Sequence, residues 1–232
     1  MNLLGWAEFA LALLVFSASH FLPRWGGVRE TLIGKIGRRQ YFTGYGIVSL
    51  VVLFWLIGSA GRAPYVELWA ASDWTRKVPG FVMPVALFLA VIGVGTRWPF
   101  TLGSKGGAAF DPTNPGLVAL TRHPMLWGLA LWSAAHLPPN GDLAHVLLFG
   151  GFALMSLVAM SMFDRRAKIA LGADDTARPF QAAPLLSPAT LFDPTWLAEN
   201  RGSLTWRLTV AAVIWAVAFG LHDAVIGVSP RA

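Results

Sequence analysis

The chain has 232 residues, of which 55% are hydrophobic and only 13% charged, with a mean hydropathy of +0.56. Soluble domains carry about 25% charged residues, so this chain lacks the polar coat a water-soluble protein needs and is an integral membrane protein. It has no cysteine, which excludes disulfides, thiolate catalysis and iron–sulfur ligation, and its net charge of +6 fits Lys and Arg held on cytoplasmic loops beside anionic lipid rather than nucleic-acid binding.

Six stretches approach the roughly 20 residues needed to cross a bilayer. They are Leu3–Leu22, Gly44–Ala60, Gly80–Thr96, Leu117–Leu137, Leu143–Phe163 and Trp206–Gly227. The first carries a Ser17-Ala18-Ser19 sequence like a signal-cleavage site. No Lys or Arg precedes its apolar run and Glu8 interrupts it, so it is expected to be retained. The fourth contains His123, Pro124 and His136 and ends in Pro138-Pro139-Asn140-Gly141. It is the weakest span, open to being a broken or partly re-entrant helix, which is tolerated only where protein or water lines it.

Between the fifth and sixth spans lies a polar insert, Asp164 to Thr205, with Asp174-Asp175, Pro179-Phe180, Pro184, Pro188 and Pro194. Turns and short helices on the cytoplasmic face are expected there. Loops one, three and five hold 14 Lys and Arg, against 4 on the other side (Arg62, Arg76, Lys77 and Arg231). That bias places both termini outside the cytoplasm, and without the long fifth loop it is still 8 against 4. The expected fold is all-α: one domain over residues 1–232, a polytopic membrane helix bundle of about six spans with a cytoplasmic loop region between spans five and six.

No P-loop, dinucleotide fingerprint, Gly-x-Ser-x-Gly elbow or His-Glu-x-x-His motif is present. Histidine is the residue type left to carry chemistry. His20, His123 and His136 sit within or at the edges of apolar runs, where an ionisable side chain is costly. Neutral imidazole is a common metal ligand, and two of them can hold a haem iron from opposite faces. The plainer role, a boundary histidine bonding a loop carbonyl, fits His145 near Asp142 and His222 beside Asp223, and stays open for the other three. Arg29, Arg38 and Arg39 follow His20; such arginines either pair with carboxylates, such as haem propionates, or serve as cytoplasmic retention charge. Retention suits Arg38 and Arg39, while Arg29 is balanced between the two.

His20-Phe21-Leu22-Pro23 followed by Arg29 and Leu32-Ile33-Gly34, Arg122-His123-Pro124 followed by Trp127-Gly128, and Ala135-His136 together resemble the NnrU family of multi-span bacterial membrane proteins. The resemblance runs from His20 through Asp164-Arg165-Arg166 to Pro179-Phe180. Its specificity rests mainly on the 13-residue spacing of His123 and His136. It implies the bacterial inner membrane, an association with denitrification and nitric oxide or nitrite metabolism, and kinship with zeta-carotene isomerases, which carry haem b. By that resemblance His20 and His136 are the metal ligands of haem b; Arg29, Arg122 and His123 are further candidate cofactor-binding residues on their positions in the sequence. Ser133 stands where the isomerases have a cysteine, and serine is a poor substitute for thiolate on iron.

Spacing sets a condition on that pair. Thirteen residues of continuous helix cover about 20 Å, whereas two axial nitrogens on one iron lie about 4 Å apart. In the six-span topology His20 and His136 share an iron only if span four is broken, re-entrant or displaced along the membrane normal. His123, at the same end as His20, is the alternative partner.

Four functions follow. The first is a haem-binding NnrU-type protein that meets a small gaseous ligand or an electron partner. The second is a haem-dependent cis–trans isomerase acting on an apolar polyene delivered by the bilayer. Third, Arg122-His123-Pro124-Met125 with Gly128 also resembles the motif of membrane isoprenylcysteine-type methyltransferases and sterol reductases, where it helps hold the cofactor. The fourth is an accessory subunit without cofactor.

Overall fold

The computed structural model describes residues 3–24, 26–105, 110–172 and 175–230. Asp174, Arg231 and the side chain of Arg24, named or counted above, lie outside the described set. Among the described residues eight α-helices follow in order: α1 (Leu3–Phe21), α2 (Val28–Ile36), α3 (Arg38–Arg62), α4 (Asp73–Gly93), α5 (Pro124–His136), α6 (Leu143–Leu171), α7 (Ala177–Ala182) and α8 (Pro194–Ile226). Helices α1, α3, α4, α6 and α8 are long and apolar enough to cross a membrane. Only 6% of the most apolar window of α8 is buried, so its outward Leu, Val and Ile side chains need lipid as their solvent.

The expected fourth span is the one that differs. Leu117–Leu137 is divided into a 3-10 turn at Gly116–Ala119, a corner over 120–123, and then α5, whose 13 residues reach only about 20 Å. Pro124 is the cause. Its ring disfavours helical backbone at the preceding residue, and His123 accordingly sits at φ −123°, ψ 52°. Proline can open a helix, because its missing N–H would have no partner in the first turn, and α5 begins at Pro124 in this way, whereas α4 carries Pro79 and Pro84 in its interior.

The chain forms two compact units, Met1–Trp69 with Gly141–Leu148, and Ala70–Asn140 with Phe149–Ala232. In the first unit α1 and α3 pack against each other. Helix α1 buries Gly5, Phe9, Ala12 and Phe16, a single stripe at alternating steps of four and three residues, and α3 buries Leu56, Ser59 and Ala60. A side chain at Gly5 would meet the Arg62 carbonyl at 2.7 Å, so the two backbones approach closely there. Glu8, the acid inside the first apolar run, accepts hydrogen bonds from both Arg62 Nη2 (2.6 Å) and Trp55 Nε1 (3.2 Å). Its charge is thus compensated from α3, as an acid in a spanning helix requires.

The same unit holds a junction between two connections. The N–H groups of Leu68 and Trp69 donate to the Gly141 carbonyl (2.7 and 3.1 Å), and Leu143 N–H donates to the Val66 carbonyl (2.9 Å). The α5–α6 connection is therefore bonded to the α3–α4 connection. Asp142 then caps α6, its carboxylate accepting from His145 N–H at 3.2 Å and from the His145 ring at 2.7 Å.

In the second unit α4 lies along α5, and small residues set the contact. A Cβ on Gly128 would meet the Ala86 carbonyl oxygen at 2.6 Å and the Ala90 nitrogen at 2.9 Å; one on Gly93 would meet Met125 at 2.5 Å. Close backbone approach of this kind is how helices associate where lipid tails offer no hydrophobic drive. Gly128→Val should therefore push α5 off α4 and cost about 1–3 kcal/mol, read as a lowered midpoint in detergent thermal melts followed by circular dichroism. A shift within error would mean that the two helices have slack there.

Candidate functional site

The polar centre of the second unit is built where α5 begins. His123 is completely buried, and both of its ring nitrogens are engaged. A carboxylate only accepts, so Nε2–H donates to Asp164 Oδ1 (2.9 Å), and in the neutral ring the Thr101 hydroxyl donates to Nδ1 (2.8 Å). Arg122 addresses the same carboxylate as a fork: Nε donates to Asp164 Oδ1 at 2.7 Å and Nη2 donates to Oδ2. Its Nη1 donates to the Ala183 carbonyl (3.3 Å), its backbone N–H to the Pro184 carbonyl (2.9 Å), and its guanidinium lies 4.8 Å from the Phe180 ring centroid.

The polar insert completes this clamp. Thr121 Oγ1 and Trp127 Nε1 both donate to the Leu185 carbonyl (2.6 and 3.1 Å), and Ser187 N–H donates to the Leu120 carbonyl (2.8 Å). Residues 183–187 thus run as a strap across the corner at 120–123. Beneath it Trp98, wholly buried with Val118, Ala167 and Ala183, meets Phe100, Phe110 and Phe180 edge-on. The expected turns and short helices of the insert are present as α7 and a 3-10 turn at Pro188–Phe192.

His20 and His136 are presented differently, and alike. In each, ring Nδ1–H donates to the backbone carbonyl four residues earlier: Phe16 for His20 (2.8 Å) and Trp132 for His136 (2.7 Å). That bond fixes the tautomer and leaves Nε2 as the lone-pair nitrogen, the arrangement shared by metal-ligating imidazoles. Aromatic rings hold both planes. His20 lies 4.2 Å from Phe16 and 5.9 Å from Tyr45, His136 lies 5.1 Å from Phe149 and 5.7 Å from Trp132. His20 belongs to the first unit, His136 to the second.

The remaining expected residues have plainer places. Arg29 lies 5.3 Å from the Phe42 ring, with Arg38 over the same ring at 5.0 Å. The hydroxyl of Ser133 is turned back to the Leu129 carbonyl of its own helix (2.8 Å). His222 bonds the Val228 carbonyl (2.7 Å), the role expected of it, whereas His145 bonds the Asp142 carboxylate rather than a carbonyl. Among the described residues no group of three or more His, Asp or Glu side chains converges as a metal-ion site. A haem needs only axial ligands, so that fact bears on other metals. Asp164 and Thr101, which position His123, went unassigned in the sequence because they lie 41 and 22 residues from it. The one available signal was an acid closing the apolar run Leu143–Phe163, which must find a cation.

These features define a multi-pass, all-helical membrane protein with an internal Arg-His-Asp clamp. The chain matches the family described as NnrU protein over residues 8–230, nearly its whole length, and belongs to that family. No curated protein and no solved structure matches it.

Proposed function

We propose that this NnrU-family protein binds haem b, with His136 and His20 each offering Nε2 as an axial ligand, and works in nitrogen-oxide respiration, as the family resemblance implies. The observation that carries the reading is the shared bonding of these two imidazoles, each with Nδ1–H given to a helix carbonyl, Nε2 left free to ligate, and the ring packed against aromatics. Haem held this way, with both axial positions filled, would supply electron-transfer chemistry. The chain's own contribution is to fix each ring plane and tautomer and to raise the donor strength of Nε2 through the carbonyl bond.

His123 and Arg122 act as positioning residues in this account. Ligation by His123 would break its bond to Asp164 or to Thr101, and the Arg122 fork is already committed to Asp164 and Ala183. The same commitment argues against the methyltransferase-like use of the Arg122-His123-Pro124 motif. We place α5 as a short, broken crossing. Its far end returns the chain to the α3–α4 connection, and the Lys/Arg bias then keeps loops one, three and five in the cytoplasm. The test is the visible spectrum of protein purified in detergent from haem-replete cells. A low-spin Soret band with a sharp reduced α band is expected; a colourless preparation refutes the proposal.

A further inference from the structure

A second polar feature of the Ala70–Asn140 and Phe149–Ala232 unit is independent of the histidines. The loop after α4 and the first turns of α8 enclose a cavity of about 580 Å³, and three of its lining side chains are the cations Arg97, Lys105 and Arg207. Glu199 is the only acid among the described residues that lines it. Among the described residues none of the three cations has a carboxylate within 4.0 Å, and the ion pairs found there lie at Glu8, Asp142 and Asp164. The nearby Asp111 is already engaged, since the Thr113 hydroxyl and backbone N–H hold its carboxyl below the usual carboxylate range.

The wall also contains hydrogen-bonding atoms with nothing to bond. Arg207 Nη1 donates to the Ser203 hydroxyl, but among the described residues its buried Nε finds no acceptor and the buried hydroxyl of Thr96 no partner. Buried polar groups are rarely left so, and an orphaned guanidinium N–H beside two further cations asks for an anion. Arg97 is held ready by the Asn114 carbonyl and side chain (3.1 and 3.0 Å).

Position narrows the chemistry. The 33 residues of α8 extend about 50 Å, well beyond the roughly 30 Å hydrocarbon core, and its polar first turns lie before the apolar run that opens at Trp206. Arg207 stands at that boundary, its guanidinium 4.3 Å from the Trp206 ring centroid, an indole at the level where such rings gather. The cavity therefore opens at headgroup depth. We propose that it binds a phosphate group, carried by an anionic lipid headgroup or free in solution, with Arg97, Lys105 and Arg207 as the cationic partners.

Delipidated full-length protein in neutral detergent should be titrated calorimetrically with inorganic phosphate and, separately, with phosphatidylglycerol presented in phosphatidylcholine nanodiscs. Saturable binding is expected in at least one arm, and the arm that responds names the source. Arg207→Gln should weaken it about tenfold, as loss of one charge-assisted contact does. Exposed Lys105→Gln should act in the same direction without touching the fold. Glu199→Gln should tighten binding, a gain that a merely structural role would not produce. Absence of binding in both arms, or binding indifferent to Lys105→Gln and Glu199→Gln, overturns the proposal.

Discussion

Asp164→Ala should destabilise the protein by about 3–5 kcal/mol, the cost of stranding a buried charge. The carboxylate is the hub of the clamp: it takes two donors from the Arg122 fork and one from His123, and Arg122 and His123 are themselves 8% and 0% exposed. Removing it leaves a guanidinium with no water to turn to, and frees the start of α5 from α6. Arg122→Ala should cost a similar amount for the converse reason. The double replacement Arg122→Met with Asp164→Leu should cost clearly less than the sum of the two single changes, because no lone charge remains. Equilibrium unfolding in mixed micelles measures all three. An Asp164→Ala protein within about 1 kcal/mol of wild type would show that the pair is solvated and that the strap over residues 120–123 is held by other means.

His136→Ala should abolish the low-spin spectrum of the haem-loaded protein and lower its haem content at least about tenfold, since an iron–imidazole bond is worth more than an ordinary hydrogen bond. Free imidazole added to the variant should restore the band, because the truncated side chain leaves a ring-sized space flanked by Trp132 and Phe149. His20→Ala should behave in the same way, with Phe16 and Tyr45 as the walls. Ser133→Ala should leave the spectrum unchanged, since that hydroxyl serves only the Leu129 carbonyl. Rescue separates ligation from folding: a misfolded variant does not regain its band on adding imidazole.

The spanning helices were legible because hydrocarbon demands long apolar runs, and α1, α3, α4, α6 and α8 satisfy that demand locally. Helix α5 was legible only in part. Its apolar residues continue those of Leu117–Leu120, so composition alone joins what Pro124 divides, although Pro124, Pro138 and Pro139 did mark the place. The histidines could be found but not ranked by sequence. Whether a ring nitrogen is free depends on partners such as Asp164 and Thr101, brought to His123 by tertiary folding. The cavity at Arg207 was not visible at all, because cations from a loop and from α8 give no periodic signal.

The most direct test places three reduced spectra side by side, from His20→Ala, His136→Ala and His123→Gln, at equal concentrations of folded protein. Free Nε2 atoms on the first two rings predict loss of the α band in both and its retention in His123→Gln, whatever that change costs in stability. Retention in His20→Ala and His136→Ala, with loss in His123→Gln, would contradict the account.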